Sequence, residues 1–196
     1  GKFTGRSPKD KFTVKDAITE NSVHWNDFNI AIEYDPFNEK YLFGRGKLNA
    51  LHLNNISKAM DDFNFILSRN PTNAKALNGL GVCYENSGDY QKAILQYEKV
   101  INLEKTDPKT AAFGYSNLAR IHELNTKYDL SLLEYSKAIE LDPLNPDRYY
   151  GRANFYSNQK GEFKKALLDF SKAIELEPNN LKYLYGRGRL FSNENE

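Results

Sequence analysis

The sequence predicts an all-α fold, an α-solenoid of stacked helix-turn-helix repeats with a short non-repeat arm at its amino end. Three observations predict it. A short motif closed by a small residue recurs at positions 46, 81, 119, 153 and 188, at intervals of 35, 38, 34 and 35 residues, and self-similarity near 34 residues is the mark of a solenoid array. Downstream of the first four small residues comes a second motif: Ala59, Phe63, Ile66; Ala93, Tyr97, Val100; Ser131, Tyr135, Ala138; and Ala166, Phe170, Ala173. Steps of four and three residues place each trio on one face of a helix, a face that must be buried. Pro71, Pro143 and Pro178 follow three of these stripes, and proline stops a helix by lacking the backbone donor and disfavouring helix at the preceding residue.

The first helices read, in order, Leu42-Phe43-Gly44-Arg45-Gly46, Asn78-Gly79-Leu80-Gly81, Asn117-Leu118-Ala119, Tyr149-Tyr150-Gly151-Arg152-Ala153 and Leu184-Tyr185-Gly186-Arg187-Gly188. Their closing glycine or alanine lets the alanine of the second helix come near, ridge into groove. The turns Ser87-Gly88-Asp89 and Lys160-Gly161-Glu162 part the two helices of a repeat. Four repeats are expected at 39–72, 73–110, 111–145 and 146–180, followed at 181–196 by the first helix of a further repeat, truncated or capping. The extra residues of the longest interval are expected in the polar connector Leu103–Pro108, where added length costs little entropy. Each repeat leaves apolar surface for its neighbour to cover.

Two copies vary together. Arg45 and Arg152 precede the small residue in the copies that have Asp62 and Asp169 before the aromatic, whereas the other copies show Leu80 with Gln96 and Leu118 with Glu134. Ion pairs Arg45–Asp62 and Arg152–Asp169 are expected, because guanidinium matches carboxylate in a two-pronged geometry. The alternative is an arginine that grips a ligand. Arg187 stands in the same place of the last copy with no second helix after it to supply an aspartate.

Composition narrows the function. With 27 basic and 26 acidic side chains there is no net positive field for nucleic acid or an anionic membrane. One cysteine, Cys83, allows neither an internal disulfide nor a cysteine zinc cage, and reads as a small buried apolar residue. His24, His52 and His122 lie far apart and read as surface or groove residues. No apolar run of transmembrane length is present, and Gly1-Lys2-Phe3-Thr4 is neither a signal peptide nor an initiator methionine, which suits a fragment of a cytoplasmic protein.

The arrangement resembles the tetratricopeptide repeat, through Leu77, Leu80-Gly81, Tyr84, Gly88-Asp89-Tyr90, Ala93 and Tyr97 in the clearest copy and their counterparts elsewhere. The resemblance implies a concave surface lined by first helices that binds a partner segment. Opposite the packing stripes stand Lys40, Phe43, Lys47; Lys75, Asn78, Val82; Phe113, Ser116, Arg120; Asp147, Tyr150, Asn154; and Lys182, Tyr185, Arg189. Aromatic beside basic residues suit a segment with apolar anchors and acidic character; the alternative is that the aromatics cover seams and the lysines keep the surface soluble. Asn78, Gly79 and Val82 do not reproduce the clamp that some members use for chaperone carboxyl termini.

The beginning is different. Gly1-Lys2-Phe3-Thr4-Gly5-Arg6-Ser7-Pro8-Lys9-Asp10-Lys11-Phe12 resembles the amino-terminal part of ATP-dependent phosphoenolpyruvate carboxykinase, and that resemblance would give Arg6 a contact to the substrate's carboxylate or phosphate. No Gly-rich phosphate loop ending in Gly-Lys-Thr accompanies it, nor a lysine, histidine and aspartate set for the metal. Residues 1–27 are therefore expected to form an arm or hairpin. Residues 28–38 close a partial repeat: Asp27-Phe28-Asn29-Ile30-Ala31-Ile32-Glu33 reads like Asp169-Phe170-Ser171-Lys172-Ala173-Ile174-Glu175. A helix over His24–Tyr34, with Phe28 and Ala31 toward Leu42, is predicted to cap the stack. The function expected is a non-enzymatic scaffold for a protein or peptide ligand, with no cofactor and no metal. Weak self-association through Leu184, Leu190 and Phe191 is a further expectation, and an inactive carboxykinase fragment fused to repeats is the alternative.

Overall fold

A computed structural model describes residues 25–52, 54–103, 105–159 and 162–194, with side chains to 192. The arm, including Arg6, and the turn at Lys160-Gly161 lie outside the described residues. Those described are all-α. The helices are α1 (25–34), α2 (Glu39–Leu51), α3 (Ile56–Arg69), α4 (Ala74–Asn86), α5 (Tyr90–Ile101), α6 (Pro108–Leu124), α7 (Tyr128–Leu141), α8 (Pro146–Ser157), α9 (Phe163–Leu176) and α10 (Leu181–Glu194). They form two compact units, which divide between Ser87 and Gly88.

Local chemistry sets the helix starts. Asn38, Asn55, Asn73, Asp89, Asp107, Asn145 and Asn180 each accept a backbone N–H of the first turn, and such caps contribute about 1 kcal/mol each. The second helices α3, α7 and α9 end at Arg69, Leu141 and Leu176, each two residues before its proline, Pro71, Pro143 and Pro178. Gly88, at φ +77°, takes the left-handed turn after α4. The extra residues of the 38-residue interval fall only partly where the sequence expectation put them. The connector 102–107 is two residues longer than its four-residue counterparts, and α6 also begins a turn earlier than the other first helices, running 17 residues. Asp107 caps it and Pro108 sits at its first position, so the start signal moved and part of the added chain became helix.

In unit 1, α2, α3 and α4 enclose Leu42, Ala59, Phe63, Ile66, Ala76, Leu80 and Cys83, with Ile32 of α1 against the same core. In unit 2, one cluster holds Ala119, Tyr135 and Phe155, and another holds Ala153, Ala166, Phe170 and Leu190. All four stripes read from the sequence are buried.

Glycine governs how successive helix pairs meet. A Cβ built on Gly79 would lie 2.7 Å from the Phe63 ring, one on Gly151 would lie 3.1 Å from Tyr135, and one on Gly186 would lie 2.7 Å from Phe170. Phe28 stands against Gly44 in the same way. Each second-helix ring therefore seats on the glycine 16 residues later, in the following first helix. The third copy departs from this: Asn117 stands at the glycine's place, two residues before Ala119, and Gly114, nearer the start of α6, meets Ile101 and the Tyr97 carbonyl. Helix α1 presents Phe28 as the ring of a second helix, which is how it packs on α2.

Candidate functional site

Two side-chain assemblies stand out, one that joins helices and one that lines an open pocket. In the first, Arg45 donates from Nε and Nη2 to the two oxygens of Asp62, at 3.0 and 2.6 Å, and from Nη1 to Asn29 of α1 at 2.7 Å. Arg152 repeats the figure with Asp169, at 2.7 and 3.0 Å, and Ser136 of α7 at 3.1 Å. Each arginine thus bridges its own second helix and the preceding one. The hydrogen bonds to the aspartates hold both guanidinium groups above their ordinary pKa, against burial that lowers it.

The third copy keeps a pair by other means. His122, four residues beyond Leu118 and so one turn further along α6, stands 2.8 Å from Glu134. His122 is half-buried and paired, which corrects its reading as a surface or groove residue. Burial raises the Glu134 carboxyl above its ordinary value, with the His122 hydrogen bond partly offsetting it.

The second assembly lies in unit 2, where α6, α8 and the start of α10 border an open pocket of about 520 Å³. Ser116, Arg120, Asp147, Tyr150, Asn154 and Lys182, six of the groove-facing residues read from the sequence, line it together with Asn117, Glu123 and Arg148. Lys182 reaches Asp147 at 2.6 Å and lies 4.5 Å over the Tyr150 ring, while the Tyr183 hydroxyl donates to Asp147 at 3.0 Å. Burial pushes the Asp147 carboxyl up, but Lys182, Tyr183 and Arg148 outweigh it and hold the group below the usual carboxylate range. Burial and the Asp147 carboxylate push the Tyr183 phenol far up.

Arg148 is the residue the sequence did not reveal. Only 4% exposed, it lies 3.9 Å from the Phe113 ring centre and donates to Ser116 at 3.3 Å. Asp142 is 3.4 Å from Nε, yet neither Nε nor Nη2 has a hydrogen-bond acceptor. Burial lowers its pKa, and Asp142 and Asp147 counter that. Its signal was positional: Ala76 and Tyr183, at the matching place of other copies, are both buried.

The remaining candidates are scattered. Phe43 rests on Phe63 with ring centres 5.7 Å apart, and Tyr150 packs on Phe170 and Tyr183 at 5.8 and 5.4 Å, so these two aromatics also cover seams. Lys40, Lys47 and Lys75 are exposed on unit 1, with Asn78 and Val82 half-buried. Tyr185 is exposed on unit 2, and Arg189 donates to Asn154 at 3.2 Å. Among the described residues, no group of three or more His, Cys, Asp or Glu is placed to hold a metal ion, and no helix is long and apolar enough to cross a membrane.

Comparison with family models decides the nature of the helix pairs, since the tetratricopeptide repeat model matches at 74–107 and again at 146–180. These segments are tetratricopeptide repeats. Solved tetratricopeptide structures agree in fold. A thermophilic TPR protein of Thermus thermophilus superposes with a TM-score of 0.75 at 17% identity, covering 89% of this chain and 92% of that one. A tetratricopeptide repeat protein from Parabacteroides merdae gives 0.72 at 22% identity, covering 93% and 69%. YrrB, described as a TPR protein with an unusual peptide-binding site, gives 0.55 at 21%, covering 88% and 86%.

The beginning matches another family. Residues 1–52 match the phosphoenolpyruvate carboxykinase model. The ATP-dependent carboxykinase of Christiangramia forsetii is 51% identical over 41 residues, which is 21% of this chain and 8% of that enzyme. That of Rhodopseudomonas palustris is 56% identical over 41 residues, 21% and 7%. This chain therefore spans less than a tenth of the length of the curated relatives it matches. The carboxykinase match runs through α1 and α2, which pack in unit 1 with α3 and α4.

Proposed function

We propose that the tetratricopeptide region is a non-enzymatic protein-interaction scaffold, and that it holds a partner's peptide segment with an acidic group in the unit 2 pocket. The observation that carries this reading is the mixed pocket wall, where Arg148 and Arg120 bring positive charge beside the apolar face of Tyr150. An acidic side chain entering the pocket would gain from that charge. Asn154 adds a polar side chain to the same wall. The pocket's own carboxylates are engaged, Asp147 by Lys182 and Glu123 by Asn158 at 3.0 Å. Exposed Lys40, Lys47 and Lys75 give the first-helix faces of unit 1 the same basic character.

The test is selection from a displayed library of random peptides on the purified chain, followed by calorimetric titration of the enriched sequences. Enrichment of acidic sequences is expected, with Arg120→Glu and Asn154→Ala each weakening binding about tenfold, or about 1.4 kcal/mol. No enrichment, or binding untouched by both changes, would refute the assignment.

The carboxykinase match supports a second reading, an inactive fragment of that enzyme joined to the repeats. An assay of this chain for ATP-dependent carboxykinase turnover should then give no rate. A clear rate would overturn both readings.

A further inference from the structure

We infer that this chain assembles head to tail: α10 of one copy docks on α1 of a second copy, and the two helices complete a repeat. The first-helix face of α10 has the features that meet a second helix elsewhere. In α2, Gly46 receives the Phe63 ring, which a built Cβ would approach to 2.8 Å, and Arg45 holds Asp62, 17 residues on. In α10 the corresponding Gly188 has nothing within 4 Å of a built Cβ among the described residues, and Leu184 and Phe191 beside it are 37% and 47% exposed. Arg187 occupies the place of Arg45 and Arg152.

Helix α1 carries the complement. Helix α1 packs on α2 as a second helix does, with Phe28 on Gly44 and Asn29 on Arg45. Its own first-helix side is little covered among the described residues: Asp27 is exposed and Phe28 and Ala31 are half-buried, whereas Asp62, Phe63 and Ile66 at the same places in α3 are buried. Asp27-Phe28 repeats the Asp62-Phe63 and Asp169-Phe170 dipeptides. Docking α10 there would set Arg187 against Asp27 of the second copy and seat that copy's Phe28 between Gly188 and its own Gly44. Phe63 is seated between Gly46 and Gly79 in the same manner. Charge favours this occupant, since Arg187 meets a carboxylate in a register the chain already uses twice, and the net charge of +1 gives copies little mutual repulsion. Two different surfaces make a heterologous contact, which propagates or closes into a ring. Peptide binding in the unit 2 pocket is independent of it.

The test is sedimentation equilibrium of the full chain across a wide concentration range, with helicity checked by circular dichroism. The weight-average mass of the wild type is expected to rise with concentration. Arg187→Glu and Asp27→Lys should each shift association at least tenfold toward higher concentration, because each sets like charges face to face. Gly188→Leu, whose side chain enters open space and leaves the fold intact, should do the same by filling the seat of Phe28. An equimolar mixture of the two charge variants should regain association, since each supplies the end that the other's altered end can pair with. A wild type that stays monomeric, association unaffected by Gly188→Leu, or a mixture of folded charge variants that fails to regain it would overturn the proposal.

Discussion

Replacing Gly79 by alanine adds one carbon where the chain has no room for it. The new Cβ would lie 2.7, 2.8 and 2.9 Å from three atoms of the Phe63 ring, where carbons prefer about 3.5–4.0 Å. The ring cannot retreat, because Gly46 stands on its other flank with a built Cβ 2.8 Å away, and the side chain is fully enclosed. Overpacking of this kind costs about 1–3 kcal/mol, against about 0.8–1.0 kcal/mol that alanine gains over glycine in a helix. Gly188→Ala makes the same chemical change with no neighbour to strike, so it keeps the gain alone. The two variants should therefore differ by about 1–3 kcal/mol, with Gly188→Ala the more stable. The assay is urea unfolding at low protein concentration. Far-ultraviolet circular dichroism would follow the whole chain, and fluorescence of the single tryptophan, Trp25, would follow unit 1. Equal stabilisation by both substitutions would refute the claim that the ring is held between two glycines.

Replacing Arg152 by leucine or Asp169 by glutamine should each destabilise, whereas the double change, which copies the Leu80 and Gln96 of the second repeat, should recover part of the loss; urea titrations of the four proteins should give a coupling of about 0.5–3 kcal/mol, and strict additivity would contradict the bridge. Burial pushes the Cys83 thiol up to about 11, so a thiol reagent should label the native chain slowly near neutral pH and the urea-unfolded chain quickly; fast native labelling would contradict its burial. The same raised value means the folded chain keeps its proton longer than the unfolded one, so stability should fall as pH climbs from the ordinary thiol range toward 11. Glu134, also raised by burial, should make stability fall as pH rises from the ordinary glutamate range through its higher folded value. Glu134→Gln should flatten that segment of the pH profile, and an unchanged slope would count against the assignment.

The repeats were legible because periodic burial writes itself into the chain: Ala93, Tyr97 and Val100 share one helical face by arithmetic alone. The joint change of Arg45 with Asp62 and of Arg152 with Asp169 pointed to the partners that the structure brings together. Their third members, Asn29 and Ser136, were hidden. A period reports that two positions recur together, but not whether a residue faces the helix before it or the helix after it. The same ambiguity concealed the seats of the rings on Gly79 and Gly186, since only the closing residue two places on, Gly81 or Gly188, was given a packing role, toward the second helix of its own repeat. His122 escaped notice because it stands a turn away from the arginine it replaces. Arg148 escaped because only the enclosure by Phe113, Ser116 and Asp142 gives it meaning. In the pocket, Tyr150 and Asn154 were placed by the face opposite the packing stripe, a rule that says which side a residue is on and nothing of how deep it lies.

The seating of a ring on the glycine of the next helix bears on how such a chain can change length. At every junction but that of Tyr97 with α6 a ring points forward to the glycine of the next helix, so an in-frame duplication or loss of a whole copy at these junctions leaves donors and receivers matched. A stray insertion of two residues between Phe63 and Gly79 has no such protection. Heredity can therefore count this molecule in whole copies, and the extra turn of α6 marks a place where an odd remainder was absorbed into helix.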